Sequence, residues 1–332
     1  MNTKHPILFA GATGVVGQQA IEWFRTINPE QAIYIGGRNM ALADELALKV
    51  GNASSLAIDV ERPNLGIDDR VEIGAVLMLA PDSGMHGLRL AQNRKIPYIN
   101  VVTGMVEIGA ELAEYALTNS GPVLLASHWA AGAATFLALH LAEQFDSVST
   151  LNIGVVLDPE DTYGPAAFED MERLQSGVPS AFSYENGKRK WLIEDAIYHK
   201  ISTIDGREVI GTSFASLDTV SLRAVTGAKN IRFDIASEAS SFRNTQDKAA
   251  AEIIVSITGS HAGVESTRKL AIEFPKGQSA LTGLCSSLLL NEFIKKWQSD
   301  DKATLYTPES LGIKPAEFLD LLVDFGARIV EL

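Results

Sequence analysis

The sequence predicts an α/β protein: an N-terminal Rossmann-type, doubly wound parallel sheet and a second α+β domain built on a mostly antiparallel sheet. Three observations predict it. The short apolar strand Ile7-Leu8-Phe9-Ala10 runs straight into Gly11-Ala12-Thr13-Gly14-Val15-Val16-Gly17, and then into an amphipathic stretch carrying Ala20, Ile21, Trp23, Phe24 and Ile27. Apolar strand-like runs then alternate with helical periodicity as far as about residue 127. Beyond residue 147 the rhythm changes to successive strands with few helices between them.

The first turn carries the most chemistry. A glycine at the end of a strand permits a tight turn, and a second lets a pyrophosphate approach bare backbone. A third lets the following helix pack close to the strand, while the helix N-terminus points free N–H groups at the phosphates. A glycine turn alone is weak evidence, but this one follows a strand and opens a helix, the context dinucleotide binding needs. Gly11, Thr13, Gly14, Val15, Val16 and Gly17 are therefore candidate cofactor-binding residues.

A second strand, 32–35, ends in Gly36-Gly37-Arg38-Asn39. An NAD-binding unit places an acidic residue about 20 positions past the glycines, on the ribose 2′-hydroxyl. Here Gly36 and Gly37 stand in that place and Arg38 follows. A carboxylate would repel a 2′-phosphate, whereas a guanidinium can grip one through two parallel hydrogen bonds. Arg38 and Asn39 thus favour NADP over NAD, the bland alternative for Arg38 being a solvated surface arginine.

The remaining elements follow in order. Residues 41–50 read as a helix and 56–60 as a third strand, with Asp59 at the carboxyl end, either beside an adenine ring, as is common in such folds, or as a turn aspartate. Strand 75–81 ends at Ala80 and Pro81, beside the expected dinucleotide; a helix over 85–93 precedes strand 97–102, which ends at Thr103. Helix 108–118 leads to a sixth strand, 122–126, and then to a helix over 132–144. In the second domain 148–157, 189–193, 208–213, 218–224, 231–237, 252–259 and 267–273 read as strands, with a helix near 165–175. A long helix over 277–297, a short one from 307, a helix over 315–325 and a strand at 328–330 close the chain. The expected domains are 1–127, a cofactor domain; 128–275, a substrate and dimerisation domain; and 276–332, packing back onto the first.

Composition narrows the function classes. The chain has 332 residues, 46% of them hydrophobic and 21% charged, enough for two domains with ample core. A formal charge of −13, with no basic run, argues against nucleic acid as a partner. One cysteine, Cys285, permits no disulfide within the chain, which suits the cytoplasm. No export signal is visible, and 123–141, the most lipid-like stretch, contains His128 and His140 and reads as a buried strand and helix rather than a membrane span. The six histidines are scattered without metal-ligand spacing, so no metal site is expected.

Other glycine-turn families need groups this chain places badly. Short-chain dehydrogenases need Tyr-x-x-x-Lys on a helix, but Tyr184-Glu185-Asn186-Gly187-Lys188 contains an Asn-Gly turn signal. Semialdehyde dehydrogenases need a nucleophilic cysteine, but Cys285 lies in an apolar helical run without a charged neighbour. The pattern resembles instead the saccharopine dehydrogenase-like (saccharopine reductase) family. The resemblance rests on residues 7–17, on Ile35-Gly36-Gly37-Arg38-Asn39 and on Tyr98-Ile99-Asn100-Val101-Val102-Thr103-Gly104. Trp129-Ala130-Ala131-Gly132-Ala133-Ala134 and Leu305-Tyr306-Thr307-Pro308-Glu309 extend it. It implies an NADP-binding fold, a substrate and dimerisation sheet, hence a homodimer, and NADPH-linked oxidoreductase chemistry. Ala131-Gly132 stands where that family often has Pro-Gly, and a shorter substrate domain points away from saccharopine itself.

Hydride transfer to a small carbonyl or imine compound asks for alignment and a general acid. His128, directly after the sixth strand, and Tyr163, in the loop 158–165, are the candidates, and Arg173 and Arg223 could hold a substrate carboxylate. The alternatives are a structural histidine hydrogen-bonded at a strand end for His128 and surface or interface residues for the other three. The alternative reading is a non-catalytic NADP-binding redox sensor or assembly protein, because no obligatory catalytic constellation is visible.

Overall fold

The computed structural model describes residues 3–164, 180–300 and 302–332. The chain divides into two units, Met1–Ser127 with Thr282–Leu311, and His128–Leu281 with Gly312–Leu332. The C-terminal segment is thus shared between them.

In the first unit the apolar runs become β1 (Ile7–Ala10), β2 (Ile33–Gly37), β3 (Ala53–Ala57), β4 (Ala75–Met78), β5 (Tyr98–Asn100) and β6 (Val123–Leu125). Leu305–Tyr306 adds a short seventh strand beside β6. All neighbours pair parallel, in the order β3-β2-β1-β4-β5-β6 and then Leu305–Tyr306. This is the doubly wound order, whose ligand edge is the carboxyl ends of the strands. The helices α1 (Val15–Ile27), α2 (Met40–Val50), α3 (His86–Arg94) and α4 (Ile108–Thr118) connect the strands. β1 and β4 are wholly buried, as strands covered on both faces must be. Phe9 of β1 meets Phe24 of α1 edge to face, with centroids 5.1 Å apart.

The third strand lies three residues earlier than the sequence suggests. β3 is an edge strand built on Ala53, Ser54 and Ser55, and the apolar run that marks 56–60 turns out of the sheet after Ala57. An edge strand needs no two-faced apolar pattern, so hydropathy places it poorly.

The second unit contains β7 (Ser147–Leu157), β8 (Ala181–Glu185), β9 (Lys188–Leu192), β10 (Tyr198–Ser202), β11 (Glu208–Ser213), β12 (Asn230–Ser237), β13 (Ala251–His261), β14 (Val264–Phe274) and β16 (Arg328–Glu331), Leu305–Tyr306 being β15. Its sheet runs β10-β11-β12-β7-β13-β14-β16, with β8 and β9 attached at β12. Among the described residues only β12 with β7 is parallel, so the sheet is mostly antiparallel. α5 (Ala133–Ala142) is apolar nearly all round and almost wholly buried; its Phe136 stacks on Phe318 at 4.1 Å.

The expected strand over 218–224 is a helix, Leu217–Thr226. Ser216 caps it by accepting from the Asp218 N–H (3.3 Å), and Gly227, at φ +68°, ends it in the left-handed conformation. Val220, Leu222 and Ala224 alternate with Thr219, Ser221 and Arg223 and so mimic a strand, and the cap decides otherwise. The turn expected within Tyr184–Lys188 is present: Asn186 (φ +53°) and Gly187 (φ +75°) join β8 to β9, so the tyrosine and lysine share no helix. Cys285 is fully buried within the helix Gln278–Asp300, and burial pushes its thiol pKa up. The helix expected near 165–175 lies outside the described residues. No described helix is long and apolar enough to cross a membrane.

Candidate functional site

At the end of β1 the chain turns through Gly11 at φ +90°, and the Gly11 and Ala12 N–H groups donate to the Gly36 carbonyl (3.0 and 3.1 Å). Gly14 N–H donates back to the Gly11 carbonyl (3.0 Å), closing the turn, and Gln18 Nε2 holds the Thr13 carbonyl (3.0 Å). A Cβ on Gly11 would come within 2.8 Å of Ala80 Cβ, and one on Gly17 within 2.3 Å of the Gly11 carbonyl oxygen. Both glycines are therefore demanded by packing. Gly14 is different: it is exposed, and a Cβ there meets only the Gly11 carbonyl oxygen, at 3.3 Å. Its bareness is turned outward. α1 starts at Val15 with no side-chain cap and no acidic residue in its first turn. The first amides of a helix lack intrahelical acceptors, so Val15, Val16 and Gly17 present an uncontested positive end suited to a diphosphate.

The carboxyl end of β2 shows why no acid stands there. A Cβ on Gly36 would meet Leu8 Cδ1 at 2.8 Å, and one on Gly37 would meet the Thr13 side chain at 2.8 Å. The strand end is pressed against the first turn, and glycine is what the space admits. Arg38 comes next, exposed and without an assigned ion pair or hydrogen bond among the described residues. Asn39 spends its side-chain oxygen on capping α2, accepting from the Leu42 N–H (3.2 Å). Asp59 lies two residues past β3, where Oδ1 accepts from the Glu61 N–H (3.0 Å) in a local turn.

Ala80 and Pro81 follow β4 on the same edge, Ala80 touching the glycine turn. Thr103 follows β5; its N–H donates to Ser127 Oγ (3.0 Å) and its hydroxyl to Glu111 Oε1 (2.9 Å). The parallel sheet thus brings the glycine turn, Ala80 and the segments after β2, β3, β4 and β5 to one edge of one unit.

The catalytic and substrate candidates belong to the second unit. His128 is 4% exposed, and its Nε2 lies 2.7 Å from Ser221 Oγ. It begins a turn of Trp129–Gly132 in which Ala130 and Ala131 sit at φ +47° and +50°. The fully buried Asp218 ties that turn down, accepting from Trp129 N–H (2.8 Å), Thr135 Oγ1 (2.6 Å) and Ser216 Oγ. Tyr163 is half-buried; burial, followed by the Asp161 and Asp158 charges, pushes its phenol pKa up, against a hydrogen bond with the Asp158 backbone. Arg223 lies in the last turn of the helix Leu217–Thr226, its guanidinium 5.8 Å from the Tyr184 ring centroid, a cation–π packing contact. Arg173 lies outside the described residues. Among the described residues no group of three or more His, Cys, Asp and Glu side chains is arranged to hold a metal ion.

Sequence reasoning missed Glu111, Asn100 and Asp82. Glu111 is 6% exposed, on the same α4 face as Ile108 and Tyr115, while Leu112 and Leu117 point outward. The spacing 108, 111, 115 was the available signal. Asp82 accepts from His86 and Gly87 N–H (2.8 and 2.7 Å), so it caps α3 from four residues upstream, and burial raises its pKa.

No protein-family model and no curated protein sequence matches the chain. Solved structures do. Apo saccharopine dehydrogenase (L-Glu forming) from Saccharomyces cerevisiae superposes with a TM-score of 0.71 at 12% identity, over 99% of this chain and 100% of that one. The fold is shared with saccharopine dehydrogenase. A structure described as a putative myo-inositol dehydrogenase, from Sinorhizobium meliloti 1021, gives 0.50 at 13% identity over 98% and 99% of the two chains. GenD2 from gentamicin A biosynthesis, in complex with NAD, gives 0.50 at 12% identity over 99% and 97%. The fold expected from the sequence resemblance is the fold found.

Proposed function

We propose that this protein is an NADPH-dependent oxidoreductase acting on a small carbonyl or imine compound. The observation that carries the reading is Gly14: packing explains Gly11 and Gly17, but the exposed bare backbone at Gly14, above an uncapped helix end, suits an incoming diphosphate. Arg38, beside a Gly37 where any side chain would crowd Thr13, supports a 2′-phosphate and so NADP over NAD. Two of the proteins whose fold it shares are named as dehydrogenases, and the third structure holds NAD. They support oxidoreductase chemistry without naming a substrate.

The cofactor supplies the hydride. In this reading Gly11, Thr13, Gly14, Val15, Val16 and Gly17 hold the diphosphate, Arg38 and Asn39 the 2′-phosphate end, and Asp59 flanks the adenine. Ala80, Pro81 and Thr103 border the nicotinamide half. His128 and Tyr163 are the proton donors and Arg223 and Arg173 the carboxylate holders we propose for the second unit, and a cytoplasmic homodimer completes the reading.

One observation favours the rival, a non-catalytic NADP-binding sensor or assembly protein. Both proton-donor candidates are engaged: His128 with Ser221, and Tyr163 with the Asp158 backbone. Such bonds often rearrange when substrate binds, so activity decides. A panel of keto acids, imines and aldehydes tested for NADPH oxidation should yield at least one substrate whose turnover His128→Asn or Tyr163→Phe reduces. NADPH binding without turnover of any of them would favour the sensor.

A further inference from the structure

The loop after β5 hangs on a buried acid that no cation among the described residues balances. Glu111 Oε1 accepts from Thr103 Oγ1 (2.9 Å) and from Asn100 Nδ2. Asn100 Nδ2 also donates to Thr103 Oγ1 (2.6 Å) and lies 3.4 Å from the Tyr98 hydroxyl, while Asn100 Oδ1 accepts from the Val102 N–H (2.9 Å). The course of residues 101–103 is therefore set from below by Asn100 and Glu111.

The titratable groups acting on Glu111 are Asp82 from the loop after β4, Glu107 from the turn before α4, and Tyr98 from β5. Two are acidic and the third is a phenol. Glu111 Oε2 is buried and has no hydrogen-bond partner among the described residues. An ionised carboxylate buried without a counter-charge is strongly disfavoured, and such a group sheds its charge by taking a proton. The bonds that Thr103 and Asn100 donate to Oε1 favour the ionised form and oppose burial, while Oε2 is left to carry a hydrogen. Burial, the largest influence, holds the pKa of Glu111 above the ordinary carboxyl range.

We propose that Glu111 works as a neutral carboxylic acid, a positioning residue that through Asn100 and Thr103 fixes the loop beside the nicotinamide end of the cofactor. β4 and β5 belong to the half of such a sheet that takes the second mononucleotide, so the proposal rests on the cofactor reading above. Ionising Glu111 places a charge that its neighbours repel, and the loop relaxes to hydrate it.

The test compares wild type with Glu111→Gln, a neutral side chain of the same shape, from pH 4.5, the ordinary carboxyl value, up to pH 9. A group whose folded pKa is raised contributes stability at low pH and loses it as pH rises through that folded value. The melting temperature of wild type should therefore fall relative to Glu111→Gln as pH rises. NADP+ affinity, measured by calorimetry, should fall in wild type by about tenfold over the same window, the equivalent of one pK unit of coupling, and stay flat in Glu111→Gln. Parallel melting curves would overturn the neutral acid, and diverging curves with parallel affinities would overturn the positioning role. Binding of NADP+ to neither protein at any pH would overturn the cofactor reading and with it the positioning role, while the melting curves still report the proton.

Discussion

Two strand-to-helix corners of this molecule solve a similar backbone problem with opposite materials. The corner before α1 turns through Gly11 at φ +90°, and the one before α5 turns through Ala130, Ala131 and Gly132 at φ +47°, +50° and +99°. The first leaves bare, exposed backbone at Gly14 and an uncapped helix end. The second is buried and closed by its own side chains, with Asp218 holding Trp129 and Thr135 and Ser221 meeting His128. Left-handed alanines cost roughly 1–2 kcal/mol each, and the bonds to Asp218 offset that strain. A bare, positive corner suits a ligand; a corner filled from within is architecture first.

The comparison breaks most visibly at Gly17. Gly17→Val puts a side chain where a Cβ alone lies 2.3 Å from the Gly11 oxygen and 2.6 Å from Ala12 Cα. We expect a loss of about 3 kcal/mol or more from overpacking and backbone shift, with no measurable nucleotide affinity, checked by denaturant unfolding and calorimetry. Asp218→Ala strikes the other corner, leaving the donors of Trp129, Thr135 and Ser216 without their acceptor; we expect about 2–4 kcal/mol of destabilisation. Nucleotide affinity of the folded variant should hold, and its loss in step with stability would erase the distinction between the corners.

These corners also mark what could be read from sequence alone. The first was legible because steric need is written in one residue type: Gly11, Gly17, Gly36 and Gly37 are where a Cβ has no room. The alternation of strands and helices was legible for the same local reason. The second corner depends on Asp218 and Ser221, about 90 residues from Trp129 and His128, and no local pattern announces such a pairing. The alternating run 218–224 even reads as a strand, but the Ser216 cap and the Gly227 stop count for more than hydropathy and make it a helix. Glu111 escaped notice because an acid on an apolar helical stripe looks like an error of patterning until its partners in β5 and the following loop are seen.

Smaller effects sharpen the same contrast. Arg38→Ala should weaken NADP+ by about 10- to 100-fold, the worth of hydrogen bonds to a charged group, and leave NAD+ within about twofold; equal losses would remove the 2′-phosphate assignment. Arg223→Ala should cost only about 0.5–1 kcal/mol, a cation–π contact on a partly exposed surface, with nucleotide affinity unchanged. A large fall in KM-dependent activity with stability intact would instead give Arg223 the substrate role proposed for it.

Calorimetry of the unaltered protein with NADP+ and NAD+ side by side tests the central claim most directly. We expect saturable one-site binding of both, with NADP+ tighter by about tenfold or more because Arg38 meets its extra phosphate. Heat from neither nucleotide, or tighter binding of NAD+, would contradict it.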